Sequence, residues 1–122
     1  MKRVLVCDDD KEILEILELI LTASGWEVVT SENVVDIIDQ VERSKPSVIV
    51  MDNWIPDTGG IIATNQLKCH PVFRFIPVVY STANENINEL AQKAGADLFI
   101  GKPFDLEDFE NIMEQAYFLR GK

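Results

Sequence analysis

Short apolar runs recur along the chain at regular intervals, each bounded by polar or turn-forming residues. They are Arg3–Cys7, Trp26–Thr30, Ser47–Met51, Ile76–Ser81 and Asp97–Gly101. The first and third are continuously apolar at their centres, whereas a strand with one solvated face alternates between apolar and polar residues. The pattern therefore predicts five short strands, of which at least these two are buried on both faces.

Between these runs, apolar residues recur at the three- and four-residue spacing of an amphipathic helix. Asp10 is placed to cap a first helix that runs to about Ser24, where Gly25 ends it. Ile16 and Val34 belong to the apolar positions of the first and second helices. The other four predicted helices span about Asn33–Arg43, Gly60–Cys69, Asn84–Ala94 and Leu106–Leu119.

Strands that alternate with helices at this spacing form right-handed βαβ units and a parallel sheet. We therefore predict an α/β fold, a five-stranded parallel sheet doubly wound as a (βα)5 flavodoxin-like sandwich. No repeat, low-complexity tract or linker interrupts residues 1–122, so we expect one domain without an effector domain. At 13.8 kDa, roughly two-thirds of the unfolded surface is buried on folding, which is enough for a core.

The charge balance limits the partners of the chain. A net charge of −10, from 21 acids and 11 bases without a basic cluster, disfavours binding to nucleic acid. No apolar run reaches the roughly 18 residues of a membrane span, and the first run is too short for a signal peptide. Cys7 and Cys69 lack the spacing of a metal or redox motif and fit reduced thiols. We expect a cytoplasmic protein.

The predicted strands end in residues that carry chemistry. Asp8 and Asp9 follow the first strand, Asp52 the third, Thr82 the fourth and Lys102 the fifth. Each alone has an ordinary explanation as a turn former, a helix cap or a solvated loop residue. Open parallel sheets, however, bind ligands at the carboxyl ends of their strands. Because these residues end four different strands, we predict that they form one site.

Carboxylates gathered at one sheet edge need an opposing charge. At about 5 Å and an effective dielectric constant of about 20, each pair repels by about 3 kcal/mol. Mg²⁺ offsets such repulsion because it binds one or two carboxylates and phosphate oxygens while keeping several waters. The Lys102 ammonium can contact a carboxylate and then a phosphate, and the Thr82 hydroxyl can donate to a phosphoryl oxygen. The set therefore predicts a site for a divalent cation and a phosphoryl group.

Four segments, in order, resemble the receiver domains of two-component response regulators. The first segment is the first predicted strand with Asp8 and Asp9. The other three are Val48–Gly60, which contains Asp52 and the loop after it, Ile76–Ala83, which contains Thr82, and Ala94–Phe104, which contains Lys102. The resemblance covers nearly all of the chain and implies a phosphoacceptor domain.

In this family's pattern, Asp52 is the phosphoacceptor. The resemblance implies that Asp8 and Asp9 hold Mg²⁺ together with Asp52, with Asp9 favoured as a direct ligand. It assigns a further metal contact to the backbone carbonyl of Trp54. The metal site would therefore combine residues from two strand ends and the loop after the third strand.

The resemblance also implies a switch. Lys102 pairs with Asp52 or its phosphate, Thr82 moves to bind the phosphoryl group, and Phe99 turns inward as Thr82 moves. Without the resemblance, Thr82 reads equally as a cap for the helix near Asn84. Phe99 reads equally as a strand aromatic packed on a helix.

The implied partners are a histidine kinase or a histidine phosphotransfer protein as donor, and a downstream protein as target. The target would bind a face made by the fourth helix, fifth strand and fifth helix. Many family members dimerise there through ion pairs, but Asp105–Leu119 contains no Lys or Arg. We therefore expect a monomer.

Two positions depart from the family pattern. Gly59 stands where an Asp is frequent, which is expected to loosen the loop after Asp52. Trp54 is bulky beside the phosphoryl pocket, and an indole cannot accept a proton. We therefore expect Trp54 to slow dephosphorylation by shielding the phosphate, while Asn84 can still hold a water there. The alternative is that Trp54 lies on the surface without such a role.

Other classes of protein fit the sequence less well. In a haloacid-dehalogenase-like phosphatase, Asp8–Asp10 would supply the catalytic pair, but Glu12 replaces an expected Thr or Val and Asp52 has no role. A flavodoxin-like protein that binds FMN needs a phosphate-binding loop where this chain is acidic. A pseudo-receiver would lack the intact acid, hydroxyl and lysine set. His70 fits a surface loop rather than a phosphotransfer residue.

Overall fold

The computed structural model describes residues 2–52, 59–82, 87–102 and 105–119. Its strands are β1 (Arg3–Cys7), β2 (Glu27–Ser31), β3 (Val48–Asp52), β4 (Val78–Thr82) and β5 (Leu98–Gly101). Its helices are α1 (Lys11–Ala23), α2 (Ile37–Ser44), α3 (Gly60–Lys68), α4 (Ile87–Ala94) and α5 (Leu106–Leu119). A short 3₁₀ turn, Phe73–Phe75, lies between α3 and β4.

The strands form one parallel sheet in the order β2-β1-β3-β4-β5. Successive strands therefore extend the sheet first to one side of β1 and then to the other, which places helices on both faces. The predicted five-stranded, doubly wound sandwich is confirmed. The reversal of strand order places the carboxyl ends of β1 and β3 side by side, where such folds bind ligands.

Each face of the sheet carries its own apolar core. Alternate residues of a strand point to opposite faces, so Leu5 and Cys7 join one core while Val4 and Val6 join the other. α2 and α3 cover the first face with Ile37, Val41, Ala63 and Leu67. α1 and α5 cover the second with Leu17, Leu21, Phe109 and Met113. Burial from both sides explains why the β1 and β3 runs are continuously apolar.

The second helix begins later than the sequence predicts. α2 starts at Ile37 rather than near Asn33, and Val34 is fully buried from the preceding loop. The Ser31 hydroxyl donates to the Asn33 carbonyl at 2.7 Å, and the Asn33 side chain accepts from the Val35 amide at 3.3 Å. Such local side-chain bonds compete with the helical hydrogen bonds of the backbone. They favour a turn where the apolar spacing alone predicts a helix.

The face that the first helix buries differs from the predicted one. Leu14, Leu17 and Leu21 are its buried residues, whereas Ile16 remains 52% exposed. The apolar spacing admits two neighbouring faces, and only the contact with the sheet and α5 selects between them.

Among the helices of the described part of the chain, none has the length and apolar character that crossing a membrane requires.

The fold predicts that its two cysteines differ in reactivity. Cys7 is buried, and burial together with the charge of Asp8 raises the pKa of its thiol to about 12, whereas Cys69 is exposed. At pH 8 a thiol with that pKa is only about 0.01% thiolate, the form that reacts. We expect iodoacetamide to label native protein once, at Cys69, and twice after unfolding in urea.

Intact-mass analysis of the wild type and of Cys69→Ser measures this difference. The native Cys69→Ser variant is expected to stay unlabelled while its unfolded form takes up one label. Rapid labelling of native Cys69→Ser would contradict the burial of β1.

Candidate functional site

Four strand ends meet at one edge of the sheet. Asp52, the last residue of β3, lies opposite Ser81 of β4, and Thr82 lies opposite Gly101 of β5. The Lys102 amide N–H donates to the Thr82 carbonyl at 2.9 Å, which ties the end of β5 to that of β4. Because all strands are parallel, the side chains that follow them are delivered to the same edge. The predicted convergence of these residues is therefore observed in the described structure.

A lysine bridges two buried carboxylates at this edge. Lys102 Nζ lies 2.8 Å from Asp8 Oδ2 and 2.8 Å from Asp52 Oδ1. Asp8 is 3% exposed and Asp52 5% exposed, so water screens neither charge well. The ammonium therefore offsets the repulsion between the two acids. The sequence associated Lys102 with Asp52; its second bond, to Asp8, depends on the register of strands that are distant in sequence.

The surroundings decide which groups are charged. Burial acts to lower the pKa of Lys102, but the hydrogen bonds to Asp52 and Asp8 outweigh it and raise the pKa above its usual value. Lys102 is therefore charged at neutral pH. Tyr80, buried on β4, has its pKa raised by burial and by the charge of Asp52, so its phenol stays neutral.

The carboxylates of Asp8 and Asp9 differ in exposure and in hydrogen bonding. Asp8 uses both oxygens, since Oδ1 accepts from the Asp10 amide at 2.9 Å and Oδ2 accepts from Lys102. Asp9 is exposed, and no hydrogen bond of its carboxylate is seen within the described ranges. One oxygen from each of Asp8, Asp9 and Asp52 falls in a group whose members lie within 4.8 Å of one another. Hard oxygen ligands at this spacing fit Mg²⁺, with Asp9 as the most accessible ligand.

Asp10 stands apart from this acidic group. Its side chain accepts from the Glu12 amide at 2.9 Å and caps α1. The prediction that Asp10 is a helix cap is confirmed. The cap orients the loop that carries Asp8 and Asp9, because the same loop closes through the bond between Asp10 and Asp8.

The residues predicted to form the switch lie on the adjoining strands. Thr82 is 1% exposed, and Phe99 pairs with Tyr80, two residues before Thr82 on β4. Phe99 remains 43% exposed, so it is not buried under a neighbouring helix. Trp54 and Asn84, predicted to influence the metal and the phosphate, lie outside the described residues.

The sequence matches a family model, described as the response regulator receiver domain, over residues 4–114. The chain belongs to this family. Receiver domains are the phosphoacceptor components of two-component signalling and interact with histidine kinases or phosphotransfer proteins. The chain is therefore a signalling protein, and nothing supports the alternative of a haloacid-dehalogenase-like phosphatase.

Relatives of this receiver domain differ in length. It is 31% identical over 108 residues to the response regulator MprA of Mycobacterium sp. strain KMS, covering 87% of this chain and 46% of that protein. The chain thus spans about half the length of MprA. It is 27% identical over 110 residues to the polar-differentiation response regulator DivK of Brucella anthropi, covering 88% of this chain and 89% of DivK.

Solved structures support the fold of the receiver domain. The receiver domain of the sensor histidine kinase PA1611 from Pseudomonas aeruginosa matches with a TM-score of 0.88 at 23% identity. The match covers 96% of this chain and 98% of that one. In that protein a magnesium ion is coordinated in the active site cleft.

Replacing Lys102 should destabilise the receiver domain. Lys102→Met leaves Asp8 and Asp52 buried without their shared cation, and removing one partner of a buried ion pair costs about 3–5 kcal/mol. We expect the free energy of unfolding to fall by about this amount in EDTA, as measured by urea titration. Adding Asp52→Asn should recover part of the loss.

A surface ion pair provides the control. Arg43→Met removes the pair between Arg43 and Asp39, whose side chains are 70% and 60% exposed, and should cost below about 1 kcal/mol. Equal stability of the two single variants would show that the Lys102 bridge is not needed.

Proposed function

We propose that Asp52 accepts a phosphoryl group from a histidine kinase or histidine phosphotransfer protein in the cytoplasm, and that the domain changes its binding to a target. The observation that carries the proposal is the buried Asp52 carboxylate, held 2.8 Å from Lys102 beside two further acids. A buried acid that merely stabilised the fold would not need two more carboxylates beside it. The cluster is better suited to binding a phosphoryl group and its cation.

The proposed reaction is a displacement at phosphorus. An Asp52 carboxylate oxygen attacks the phosphorus of a phosphohistidine and forms an acyl phosphate. The bond from phosphorus to the imidazole nitrogen breaks, and its electron pair returns to the imidazole. Lys102 is placed to stabilise negative charge on the phosphoryl oxygens, because its ammonium already contacts the acceptor carboxylate.

The acidic cluster is proposed to hold Mg²⁺. Asp8, Asp9 and Asp52 would bind it, with the backbone carbonyl of Trp54 added by analogy to the family. When bound, the ion offsets negative charge on the carboxylates and on phosphate oxygens. The magnesium ion of the PA1611 receiver domain supports this assignment. Asp9 is the ligand expected to respond most to substitution, since Asp8 is already bonded through both oxygens.

The proposed output is a change in the surface formed by α4, β5 and α5. Thr82 would bond the new phosphoryl group, and Phe99, now 43% exposed, would turn inward. Reversing an equilibrium between the inactive and active conformations from 1:99 to 99:1 requires the phosphoryl group to interact more favourably with the active conformation by about 5.5 kcal/mol. The absence of Lys and Arg from Asp105–Leu119 supports signalling as a monomer through a separate protein target.

The lifetime of the acyl phosphate is proposed to depend on two residues near the site. Trp54, two positions after the acceptor, would shield the phosphorus from water, and Asn84 would still permit a water to bind. Both assignments rest on the family resemblance and on the chemistry of the side chains. Slow self-dephosphorylation is the expected consequence.

Phosphorylation by a small donor tests the acceptor. With Mg²⁺ and acetyl phosphate, we expect the wild type to gain one hydroxylamine-labile phosphoryl group, because an acyl phosphate is labile to hydroxylamine. Asp52→Asn should gain none. The control is Asp39→Asn on the exposed side of α2, which should be labelled like the wild type. Intact-mass analysis measures the gain, and unchanged labelling of Asp52→Asn would refute the assignment.

Mg²⁺ should stabilise the folded state, because it binds the clustered acids only when they are assembled. At 100 times its dissociation constant, such a ligand adds about 2.7 kcal/mol to the free energy of unfolding. We expect the wild-type melting temperature to rise with Mg²⁺ and the rise to disappear in Asp9→Ala. Asp36→Ala, an exposed acid beside α2, should keep the full rise. A melting curve that Mg²⁺ leaves unmoved would refute the cation site.

A further inference from the structure

One stretch of this acidic chain has the opposite charge character. Between Gly59 and Thr82 there is no Asp or Glu, although the chain contains 21 acids in 122 residues. The stretch includes α3 and the segment that joins it to β4, with Lys68 and Arg74 as its bases. Because this segment leads into the beginning of β4, it lies at the end of the sheet opposite Asp52.

The segment after α3 is held firmly by two side chains. His70 Nδ1 accepts from the Val72 amide at 3.1 Å and from the Phe73 amide at 3.0 Å. Lys68 Nζ donates to the carbonyls of Arg74 at 3.1 Å and Ile76 at 2.9 Å. These bonds fix the backbone on both sides of the 3₁₀ turn. These four hydrogen bonds therefore hold the backbone conformation that exposes side chains on this turn.

The turn divides its apolar residues between the core and the solvent. Phe73 and Ile76 pack against the core beneath α3, and the Phe73 ring stacks on His70 at 4.3 Å between centroids. Val72 and Phe75 point outward and are 64% and 49% exposed. The Arg74 guanidinium lies 4.8 Å from the centre of the Phe75 ring. The fold thus holds an aliphatic side chain and an arginine-covered aromatic ring at the surface.

A second exposed base, Lys93, lies in the last turn of α4, at the same end of the sheet as this turn. Lys93, near the end of α4, is joined to α3 through its carbonyl, which accepts from the Asn65 side chain at 3.1 Å. Lys68 is paired with Asp97, whereas Arg74 and Lys93 form no ion pair with any residue in the described ranges. Asp39 and Glu42 of α2 line a cleft with Gln66 of α3, so acids border α3 on the side that faces α2.

We propose that Val72, Arg74, Phe75 and Lys93, the basal patch, dock a protein segment whose apolar side chains are flanked by carboxylates. Arginine and aromatic residues dominate the energetics of many interfaces, and a rigid patch loses little entropy on binding. On a chain of net charge −10, Arg74 and Lys93, which form no ion pair among the described residues, select a partner surface of opposite charge. An anionic membrane would attract these few bases but would repel the acidic remainder of the molecule.

This docking is separate from phosphoryl transfer, because the patch lies at the far end of the sheet from Asp52. The probe is a synthetic amphipathic helical peptide with a Leu and Phe face flanked by Glu. A second peptide carries Lys at each Glu position. We expect the Glu peptide to shift the amide resonances of Val72–Phe75 in the full chain, and the Lys peptide to bind at least about tenfold more weakly.

Variants locate the binding energy. Arg74→Glu and Phe75→Ser should each weaken the Glu peptide at least about fivefold, since each removes one part of the patch. Arg43→Glu and Phe118→Ser are the matched controls, an exposed arginine and an exposed phenylalanine elsewhere, and should bind as the wild type does. All four positions are exposed, and melting curves check that each variant is folded.

Three outcomes would overturn the proposal: resonance shifts away from the patch, equal binding of both peptides, or Phe75-dependent binding to phosphatidylglycerol vesicles, which would assign the patch to lipid. Peptide affinity should be the same in Asp52→Asn and in the wild type with beryllofluoride. A failure to detect phosphorylation would therefore not affect the docking result, and a failure to detect docking would not affect the phosphorylation result.

Discussion

Electrostatic repulsion at the edge of the sheet is the constraint on which the rest of this structure depends. The cluster of Asp8, Asp9 and Asp52 is tolerated because Lys102 spans two of the acids with bonds of 2.8 Å. The lysine reaches them only if β5 and β4 are in register and its own backbone is bonded to Thr82. The geometry that could accept a phosphoryl group is thus also the geometry that makes the acids compatible with folding.

The two apolar cores provide the rigidity that this arrangement requires. β3 and β4 are buried along their whole length, and each ends in a residue of the proposed site. A strand packed on both faces cannot shift by one residue without moving its side chains into the wrong core. Packing therefore fixes the position of Asp52 and Thr82 along the strand direction, while the ion pairs fix their surroundings.

The molecule has two chemically different ends. The carboxyl ends of the strands gather acids, one bridging lysine and a buried hydroxyl, which suits phosphoryl chemistry. The opposite end presents exposed Val72 and Phe75 with Arg74 above the ring, on a backbone held by His70 and Lys68. Since the two surfaces share no described side chain, changes at one end can occur without disrupting the other. A domain of this size can therefore combine reaction and docking surfaces.

Local pattern was sufficient to determine much of this protein from its sequence. Continuous apolar runs identified buried strands, Asp10 and Gly25 marked the limits of the first helix, and strand ends carrying Asp8, Asp52, Thr82 and Lys102 indicated a site. These features depend on neighbouring residues and on the general rule that parallel strands end at one edge. Only tertiary structure decided that Lys102 bridges Asp8 as well as Asp52, since that bond joins residues 94 positions apart. It also decided that Ile16 stays exposed, and that Phe75 faces solvent while Phe73 does not. The start of α2 at Ile37 follows instead from local hydrogen bonds of the Ser31 and Asn33 side chains, which the apolar spacing does not show. For Lys102, Ile16 and Phe75 the sequence allowed more than one arrangement, and contacts between distant segments selected one of them.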